Sequence, residues 1–447
     1  MISRETAEIF AALEQPSGLS EKTTVTRPYP AKIGEDAKIG LAWDFVGLMG
    51  PCSESDDAAL LTQFLTCFGS AVGHGPYFQA EDDRHHMNLY MVLIGVTSRG
   101  RKGTGFNRVR RFFETSDPSW TDKVEGGLST GEGVVWRVRD RIEKTKSKDG
   151  VQEIVIEDEG ISDKRLLCIE AEFASPLQMM TRQGNSLSML LRTGWDRGDI
   201  GFMTKNNRVK ATGAHISIIG HITADELLRH LSTDSAANGF ANRILWVCSR
   251  RSKLLPEGGS PPQAAIDQLR YQVGDAIREG RERGLLVRDE EARRLWHDIY
   301  MELAEGPAGL LGCLTARGEP YIMRLACLYA LLDRSPVVTA AHLRAAKAVW
   351  DYCAASVAFV FGDALGDPTA DTILSALRAS TSGLTRTEIS GIFGRNVPSQ
   401  EIGRALTTLA NRSMAQFHKD TTTGGKAAEV WSAMTTKTLI SSISLNS

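Results

Sequence analysis

Four short apolar runs lie between residues 89 and 250, separated by stretches whose apolar positions recur at helical spacing. The runs are LYMVLIG, RLLCIEAE, HISIIGHI and RILWVCSR. Continuous apolar runs of this length that alternate with helices are typical of a parallel sheet buried on both faces. The pattern therefore predicts an α/β protein whose core spans residues 89–254.

Helical patterns lie on both sides of this core. Residues 39–80 contain DDAALLTQFLTCFGSAVG, in which apolar positions follow helical spacing. We therefore predict an N-terminal arm and a helical lead-in over residues 1–88. The stretch LLPEGGSPP at 254–262 has the composition of a linker. Amphipathic segments such as YIMRLACLYALLD then predict a helical domain over residues 263–362.

A second linker, GDALGDP, precedes a small C-terminal unit at residues 369–435. Three helical segments, DTILSALRAS, TRTEISGIF and SQEIGRALTTLANRS, are followed by a strand pair within AQFHKDTTTGGKAAEVWSA. Three helices and a hairpin with a glycine turn predict a winged helix. The third helix could then contact DNA as a recognition helix, although winged helices also bind proteins.

The charge balance limits how the chain could bind nucleic acid. Fifty-two Lys and Arg residues oppose 54 Asp and Glu residues, which gives a net charge of −2. This balance excludes an evenly basic surface, so any nucleic-acid contact must use local patches. The seven scattered cysteines form no CxxC pair, which indicates reduced thiols in a cytoplasmic protein. No apolar run approaches the length of a membrane span, so none is expected.

The stretch GVTSRGRKGTG at 95–105 lies between a predicted strand and a helix expected to begin near Phe106. Strand, glycine-rich loop and helix form the layout of a phosphate-binding loop. The spacing departs from G-x4-G-K-[ST], because Lys102 lies one position too late and Gly103 separates it from Thr104. The alternative is a solvated basic turn. The candidate cofactor-binding residues are Gly95, Ser98, Gly100, Arg101, Lys102, Gly103 and Thr104.

Polar residues end the two apolar runs that follow. Glu170 and Glu172 end the run KRLLCIEAEF, where a carboxylate beside a phosphate loop can hold Mg²⁺ or polarise the attacking water. The alternative for these two is an acidic strand end that caps a neighbouring helix. His221 and Thr223 end the run HISIIGHIT, where P-loop ATPases carry a polar residue that senses the γ-phosphate. A structural histidine is the alternative for His221.

Two arginine-bearing segments come next. Arg243 begins the predicted strand in NGFANRILWVC, and an arginine at a subunit edge can stabilise transition-state charge in a neighbour's site. Pro320 suits the first turn of a helix, which places Arg317 just before that helix and Arg324 one turn into it. Both could reach a nucleotide under a helical lid. The alternative for any one of these arginines is a surface salt bridge.

The order of these segments resembles that of AAA+ ATPases, most closely the minichromosome maintenance (MCM) branch. LCIEAEF is similar to the acidic IDEF strand of that group, ANRILWVC to its arginine-finger segment SRFDLIF, and TARGEPYIMRL to its sensor-two helix TARxLExxIRL. The resemblance covers roughly residues 89–333. The chain departs from the pattern in its longer phosphate loop, in glutamate for the first acidic aspartate, and in His221 where asparagine is usual.

The chain also resembles an uncharacterised family of P-loop proteins from bacteria, phages and mobile elements, described as primase- or helicase-like. The stretches that carry this resemblance are TSRGRKGTG, GGLSTGEG, EAEFA, ATGAHISIIGHIT and NGFANR.

Together the resemblances imply ATP and Mg²⁺ as cofactors. Lys102 and Thr104 would hold phosphate and metal, and Glu170 and Glu172 would serve metal and water. His221 would sense the γ-phosphate, Arg243 would act in trans, and Arg317 would close the lid.

In MCM-like rings two hairpins line a central pore and grip DNA. The segments 137–160 and 201–213 occupy these places, with turns expected at Asp149-Gly150 and Asn206-Asn207. Lysines and arginines there would track the DNA backbone without reading sequence. Ordinary solvated hairpins are the alternative. The candidate nucleic-acid-binding residues are Lys144, Lys146, Lys148, Lys205, Arg208 and Lys210.

The sequence thus predicts a ring-forming ATPase, a hexamer by resemblance, that acts as a DNA helicase or translocase in replication of a plasmid, phage or mobile element. A nucleotide-regulated binding switch with little turnover remains an alternative. So does an ATPase component of an anti-phage defence system. The motif DDRHHMN lacks the ligand spacing of a metal site.

Overall fold

The computed structural model describes residues 28–95, 102–148, 151–202, 209–231, 238–307, 309–362, 367–411, 414–420 and 428–434. These residues fall into two compact units. One comprises Tyr29–Gly366, and the other is built on the residues from Asp367 onward. The predicted divisions near residues 88 and 254–263 fall within the first unit.

The described strands, in chain order, are β1 (Tyr77–Ala80), β2 (Asp83–His86), β3 (Tyr90–Gly95), β4 (Val124–Glu125), β5 (Ile142–Lys148), β6 (Val151–Asp158), β7 (Arg165–Glu170), β8 (Ile200–Gly201), β9 (Lys210–Ala211), β10 (His215–Thr223), β11 (Leu245–Ser249), β12 (Val287–Arg288), β13 (Val337–Val338), β14 (Leu384–Thr385), β15 (Ala415–Asp420) and β16 (Ala428–Ala433).

The described α-helices are α1 (Gly40–Met49), α2 (Asp57–Val72), α3 (Lys102–Ser116), α4 (Gly131–Arg137), α5 (Ala174–Met180), α6 (Leu187–Asp196), α7 (Ala224–His230), α8 (Gln263–Glu282), α9 (Glu290–Ala304), α10 (Gly309–Thr315), α11 (Gly318–Leu332), α12 (Ala340–Phe361), α13 (Pro368–Ala379), α14 (Arg386–Ile392) and α15 (Ser399–Asn411).

A five-stranded parallel sheet forms the centre of the first unit, in the order β11-β3-β10-β7-β4. The four apolar runs singled out in the sequence are strands β3, β7, β10 and β11, so the predicted buried parallel sheet is confirmed. Every residue of β3 is buried, as expected for a strand flanked by neighbours on both edges and covered on both faces. The fifth strand, β4, has two residues and no apolar run to mark it.

Helix α2 covers one face of this sheet and contacts β3, β7, β10 and β11. All its residues from Ala58 to Val72 are buried. The helix begins where it does because the Asp56 side chain accepts a hydrogen bond from the Ala58 backbone N–H, 2.9 Å away. The predicted helical lead-in is therefore present as α1 and α2, and α2 contributes directly to the core of the sheet.

The helices after the linker also pack against the sheet. The Tyr352 hydroxyl of α12 donates to the Cys248 carbonyl of β11 at 2.8 Å, and the Ser356 hydroxyl accepts from the Cys248 N–H at 3.0 Å. Helix α11 is buried along most of its length. The predicted helices of residues 263–362 are thus present in the same compact unit as the sheet, and their role as a lid stays a prediction.

The C-terminal unit contains three helices and a three-stranded antiparallel sheet in the order β14-β16-β15. Asp367 caps α13, and Thr385 with Glu388 forms a capping box at α14, which explains where these helices begin. The predicted helices and strand pair are confirmed, and β14 adds a third strand.

The two predicted hairpins are antiparallel pairs. Strands β5 and β6 pair along their length with a register shift at Ile142/Glu143, and β8 pairs with β9 over two residues. The turn residues predicted for both hairpins lie outside the described residues. Among the described helices, none is long and apolar enough to cross a membrane.

Three histidines pack together between α2, β2 and the start of β10. We call His74, His86 and His215 the histidine cluster. The rings of His74 and His86 stack at 3.5 Å, and His215 lies edge-on to His74 at 6.3 Å. Burial, and after it the neighbouring His74, lower the pKa of His86 to about 3, and burial lowers the pKa of His215 well below its usual range. The cluster is therefore neutral in the folded chain.

Because these pKa values are depressed by folding, the stability they contribute is present above pH 6.5 and is lost as the pH falls toward their folded values. We expect wild type to lose about 1 to 2 kcal/mol more of its unfolding free energy between pH 7 and pH 5 than His86→Gln does. Urea unfolding at both pH values measures this difference. The exposed His297→Gln variant should behave as wild type, and equal losses in wild type and His86→Gln would contradict the assignment.

Candidate functional site

The carboxyl ends of the central strands meet at one edge of the sheet. Gly95, the last residue of β3, is in register with Thr223 of β10 and Ser249 of β11. Glu170 ends β7 opposite Gly220 of β10. The structure therefore brings Gly95, Glu170 and His221 to the same edge. We call it the carboxyl edge.

Helix α3 begins with Lys102, only a few residues after β3 ends. Ser98, Gly100 and Arg101 lie outside the described residues, as do the side chains of Lys102 and Thr104. The helix starts four residues before the predicted Phe106. A later start was expected because Gly103 and Gly105 are weak helix formers.

Packing explains one of these glycines. A Cβ atom at Gly105 would lie 2.5 Å from the Ser55 hydroxyl oxygen, just before α2. Glycine therefore allows the first turn of α3 to approach the segment that precedes α2. At Gly103 a Cβ atom would meet nothing within 4 Å. Only the second glycine of KGTG is thus required by contacts with described residues.

The chain leaves β3 and β10 in opposite directions across the sheet. From β3 it crosses to β4 at the far edge, whereas from β10 it crosses β3 to reach β11. The two connections run past each other, so the direction of winding reverses between these neighbouring strands. Ligands of open α/β sheets bind outside the carboxyl ends of the strands where the winding reverses. The start of α3 lies at this end of β3, so backbone N–H groups of its first turn are available there.

Glu170 lies at this edge with its side chain buried. Its Oε1 accepts hydrogen bonds from the backbone N–H groups of Gly127 at 2.8 Å and Leu128 at 2.5 Å. Burial raises the pKa of the Glu170 carboxyl, and these two bonds oppose the rise. The carboxylate thus holds the segment that follows β4, and both bonds use the same oxygen. Glu172 lies in the following turn and is exposed.

His221 is buried near the same edge. Its ring lies edge-on to Phe106 of α3, with 6.4 Å between centroids, and its carbonyl accepts the Phe173 N–H at 2.9 Å. The side chain therefore faces the helix that follows the glycine-rich segment. Thr223, in contrast, caps α7 through a capping box with Glu226.

The predicted arginines lie elsewhere, at the amino ends of the strands. Arg243 occupies a 3-10 turn before β11, so the predicted strand starts two residues later than expected. Its guanidinium is buried and pairs with Asp196 of α6, with 2.7 Å between Nη2 and Oδ2. Arg317 lies 4.0 Å from the other oxygen of Asp196, and its side chain is 36% exposed. We call this side of the sheet the amino edge.

Arg324 lies at the amino edge as well. It is fully buried, donates to the Asn88 carbonyl and side-chain oxygen at 2.6 and 2.7 Å, and donates to the Trp195 carbonyl at 2.8 Å. Its guanidinium stacks on the Trp195 ring at 3.8 Å. The expectation that Arg324 reaches a nucleotide is wrong, because it joins α11 to the start of β3 in the interior.

The two edges are separated by the length of the strands. The six residues of β3 span roughly 17 Å at the usual rise per residue. Arg243 and Arg317 are therefore remote from the glycine-rich loop of their own chain. Arg192 lies near this group too, and Arg243 is one cause of its lowered pKa, after burial. Asp196, which the sequence reasoning missed, is the carboxylate that Arg243 and Arg317 share.

The predicted nucleic-acid residues are described only in part. Lys144 is exposed and forms an ion pair with Glu157 across the β5–β6 hairpin. Lys146 and Lys148 belong to β5, but their side chains are not among the described ones. Lys205 and Arg208 lie outside the described residues. Lys210 is exposed in β9, and its carbonyl accepts the Asp140 N–H at 2.8 Å. The two hairpins are therefore joined at their bases.

Neither protein-family models nor curated protein sequences give a match to this chain. Among the described residues, no group of three or more His, Cys, Asp or Glu side chains is arranged to hold a metal ion. Interpretation of the site therefore depends on its geometry.

The geometry distinguishes a structural arginine from an exposed one. Arg324→Ala leaves three buried acceptors without their donor, so we expect a loss of about 3 kcal/mol or more in unfolding free energy. Arg317→Ala removes a long, partly exposed ion pair and a 5.8 Å contact with the Trp195 ring, and it should cost less than about 1 kcal/mol. Chemical denaturation of both variants measures this. Equal losses of unfolding free energy in the two variants would show that the buried hydrogen bonds of Arg324 do not stabilise the fold.

Proposed function

We propose that the chain is an ATPase of the AAA+ type that uses ATP and Mg²⁺ and moves along DNA as a ring. The observation that carries this proposal is the position of the glycine-rich segment. It leaves the central strand β3 at the point where the connections from β3 and β10 run in opposite directions, and a helix with Lys102 as its first residue follows. In open α/β sheets this position binds ligands, and a helix start there suits phosphate.

Residues at the carboxyl edge would bind the nucleotide. Lys102 and Thr104 would contact the phosphates and the metal, and Glu170, which ends β7 on the far side of β10 from β3, would support the metal. His221 would sense the γ-phosphate from β10, and exposed Glu172 would orient water. Bound Mg²⁺ would neutralise phosphate charge during transfer of the terminal phosphoryl group.

The separation of the two edges supports a site shared between copies. Arg243 and Arg317 lie roughly a strand length from the phosphate loop of their own chain. They could act on a nucleotide only if a second copy presented its carboxyl edge to them. A head-to-tail interface of this kind closes into a ring when its rotation permits. Arg317 is the better candidate for the trans role, because Arg243 is buried against Asp196.

The joined hairpins and the C-terminal unit supply surfaces for DNA. Lys144 and Lys210 are exposed, and three helices with a three-stranded antiparallel sheet match the composition of a winged helix. We place this activity in the cytoplasm and in replication of a plasmid, phage or mobile element. A role in defence against invading DNA would use the same residues.

One observation favours a second candidate, a nucleotide-regulated switch with little turnover. One oxygen of Glu170 already accepts two backbone N–H groups, and its side chain is buried. A carboxylate held in this way is less free to adjust to a metal during hydrolysis. Such a chain would bind nucleotide and DNA, and would change state without sustained turnover.

ATP hydrolysis with and without single-stranded DNA tests the proposal. We expect turnover that DNA stimulates and that Lys102→Ala lowers by roughly 100-fold or more, since it removes charge stabilisation at the transferred phosphoryl group. The exposed Lys32→Ala variant is the charge-matched control and should keep wild-type turnover.

The alternatives give different results in the same assay. If wild type binds nucleotide without turnover, the motor is rejected and the nucleotide-regulated switch is supported. Undiminished turnover in Lys102→Ala would reject the glycine-rich segment as the phosphate loop.

A further inference from the structure

A small apolar pocket lies beside the base of the second hairpin. It encloses about 290 Å³ and is lined by Val135 and Trp136 of α4 together with Phe202 and Val209, which flank β8 and β9. We call these four residues the aromatic pocket. Trp136 is 48% exposed, which is unusual for the largest apolar side chain. The expected motor chemistry gives this pocket no role.

The pocket offers a flat stacking surface. The guanidinium of Arg139 lies over the Trp136 ring at 3.9 Å, and it is held there by Asp158 and by the Trp136 carbonyl. The Arg139 guanidinium thus orients the indole, and an exposed indole is a π surface of the kind on which unpaired bases stack. The volume lies just below the usual range for small-molecule sites, so it suits a single ring system.

The charges around the pocket suit an uncharged base inside it and a phosphate outside it. Glu132 also lines the pocket, so the pocket itself does not favour an anion. Lys210 follows Val209 directly, is exposed, and forms no ion pair with any described residue. Apolar stacking next to a cation is the arrangement by which proteins bind single strands without reading sequence.

We propose that the aromatic pocket binds one unpaired base of single-stranded DNA by stacking on Trp136, with Lys210 contacting the adjoining phosphate. This inference rests on the proposed DNA-dependent function and names the residues that hold the strand. Trp136 would be a binding residue, remote from the nucleotide edge.

The test uses the full chain and a short oligonucleotide that contains 2-aminopurine, whose fluorescence falls when it stacks. We expect wild type to bind and quench, and Trp136→Ala to bind roughly 5-fold to 100-fold more weakly without quenching. Trp136→Phe should restore most of the affinity. Tyr271→Ala, which removes an exposed aromatic ring of α8, is the matched control and should bind as wild type.

A second variant separates stacking from charge. Lys210→Ala should lower affinity, leave the quenching of the bound complex intact, and reduce the slope of log affinity against log salt by roughly 0.7.

Other outcomes overturn the inference in distinguishable ways. Wild-type affinity and quenching in Trp136→Ala would reject the pocket while the DNA-dependent function stands. A Trp136-dependent preference for RNA of the same sequence would reject DNA as the ligand. If wild type binds no single-stranded DNA, the DNA part of the proposed function fails and the pocket's role fails with it.

Discussion

The burial of strand β3 is the constraint on which the rest of the structure depends. Its two edges pair with β10 and β11, and its two faces are covered. Only the ends of this strand can therefore contribute to a site that a ligand reaches. All the strands of this sheet are parallel, which places their carboxyl ends at one edge and their amino ends at the other. The glycine-rich segment must therefore emerge at the same edge as His221 of the neighbouring strand β10 and Glu170 of the next strand, β7. The turn that precedes β11 must lie on the opposite side.

The separation of the two edges explains the different roles of Arg324, Arg243 and Arg317. Arg324 fixes α11 to the start of β3 and to Trp195, so it anchors the helices after the linker to the sheet. Asp196 then holds Arg243 in the interior and leaves Arg317 partly exposed at the amino edge. One short region thus contains a structural arginine, a buried pair and an arginine available to another molecule. If the chain is a motor, each complete site needs two copies.

The sequence predicted those parts of the fold that local patterns determine. The apolar runs marked β3, β7, β10 and β11, and helical periodicity marked α2 and the three helices of the C-terminal unit. It could not predict β4, because two residues carry no periodicity. It could not assign Arg324 to the interior either, since its partners Asn88 and Trp195 are distant in the chain. The aromatic pocket was missed for the same reason, since Trp136 and Phe202 meet only in the folded chain.

A mixing experiment tests the shared site most directly. Lys102→Ala and Arg317→Ala should each hydrolyse ATP poorly, but a one-to-one mixture should recover up to about a quarter of wild-type turnover, because a quarter of head-to-tail interfaces would pair an intact loop with an intact arginine. A mixture of Lys102→Ala with the double variant contains no intact loop and should recover nothing. Turnover in the first mixture equal to the mean of its two components would contradict a site built from two copies.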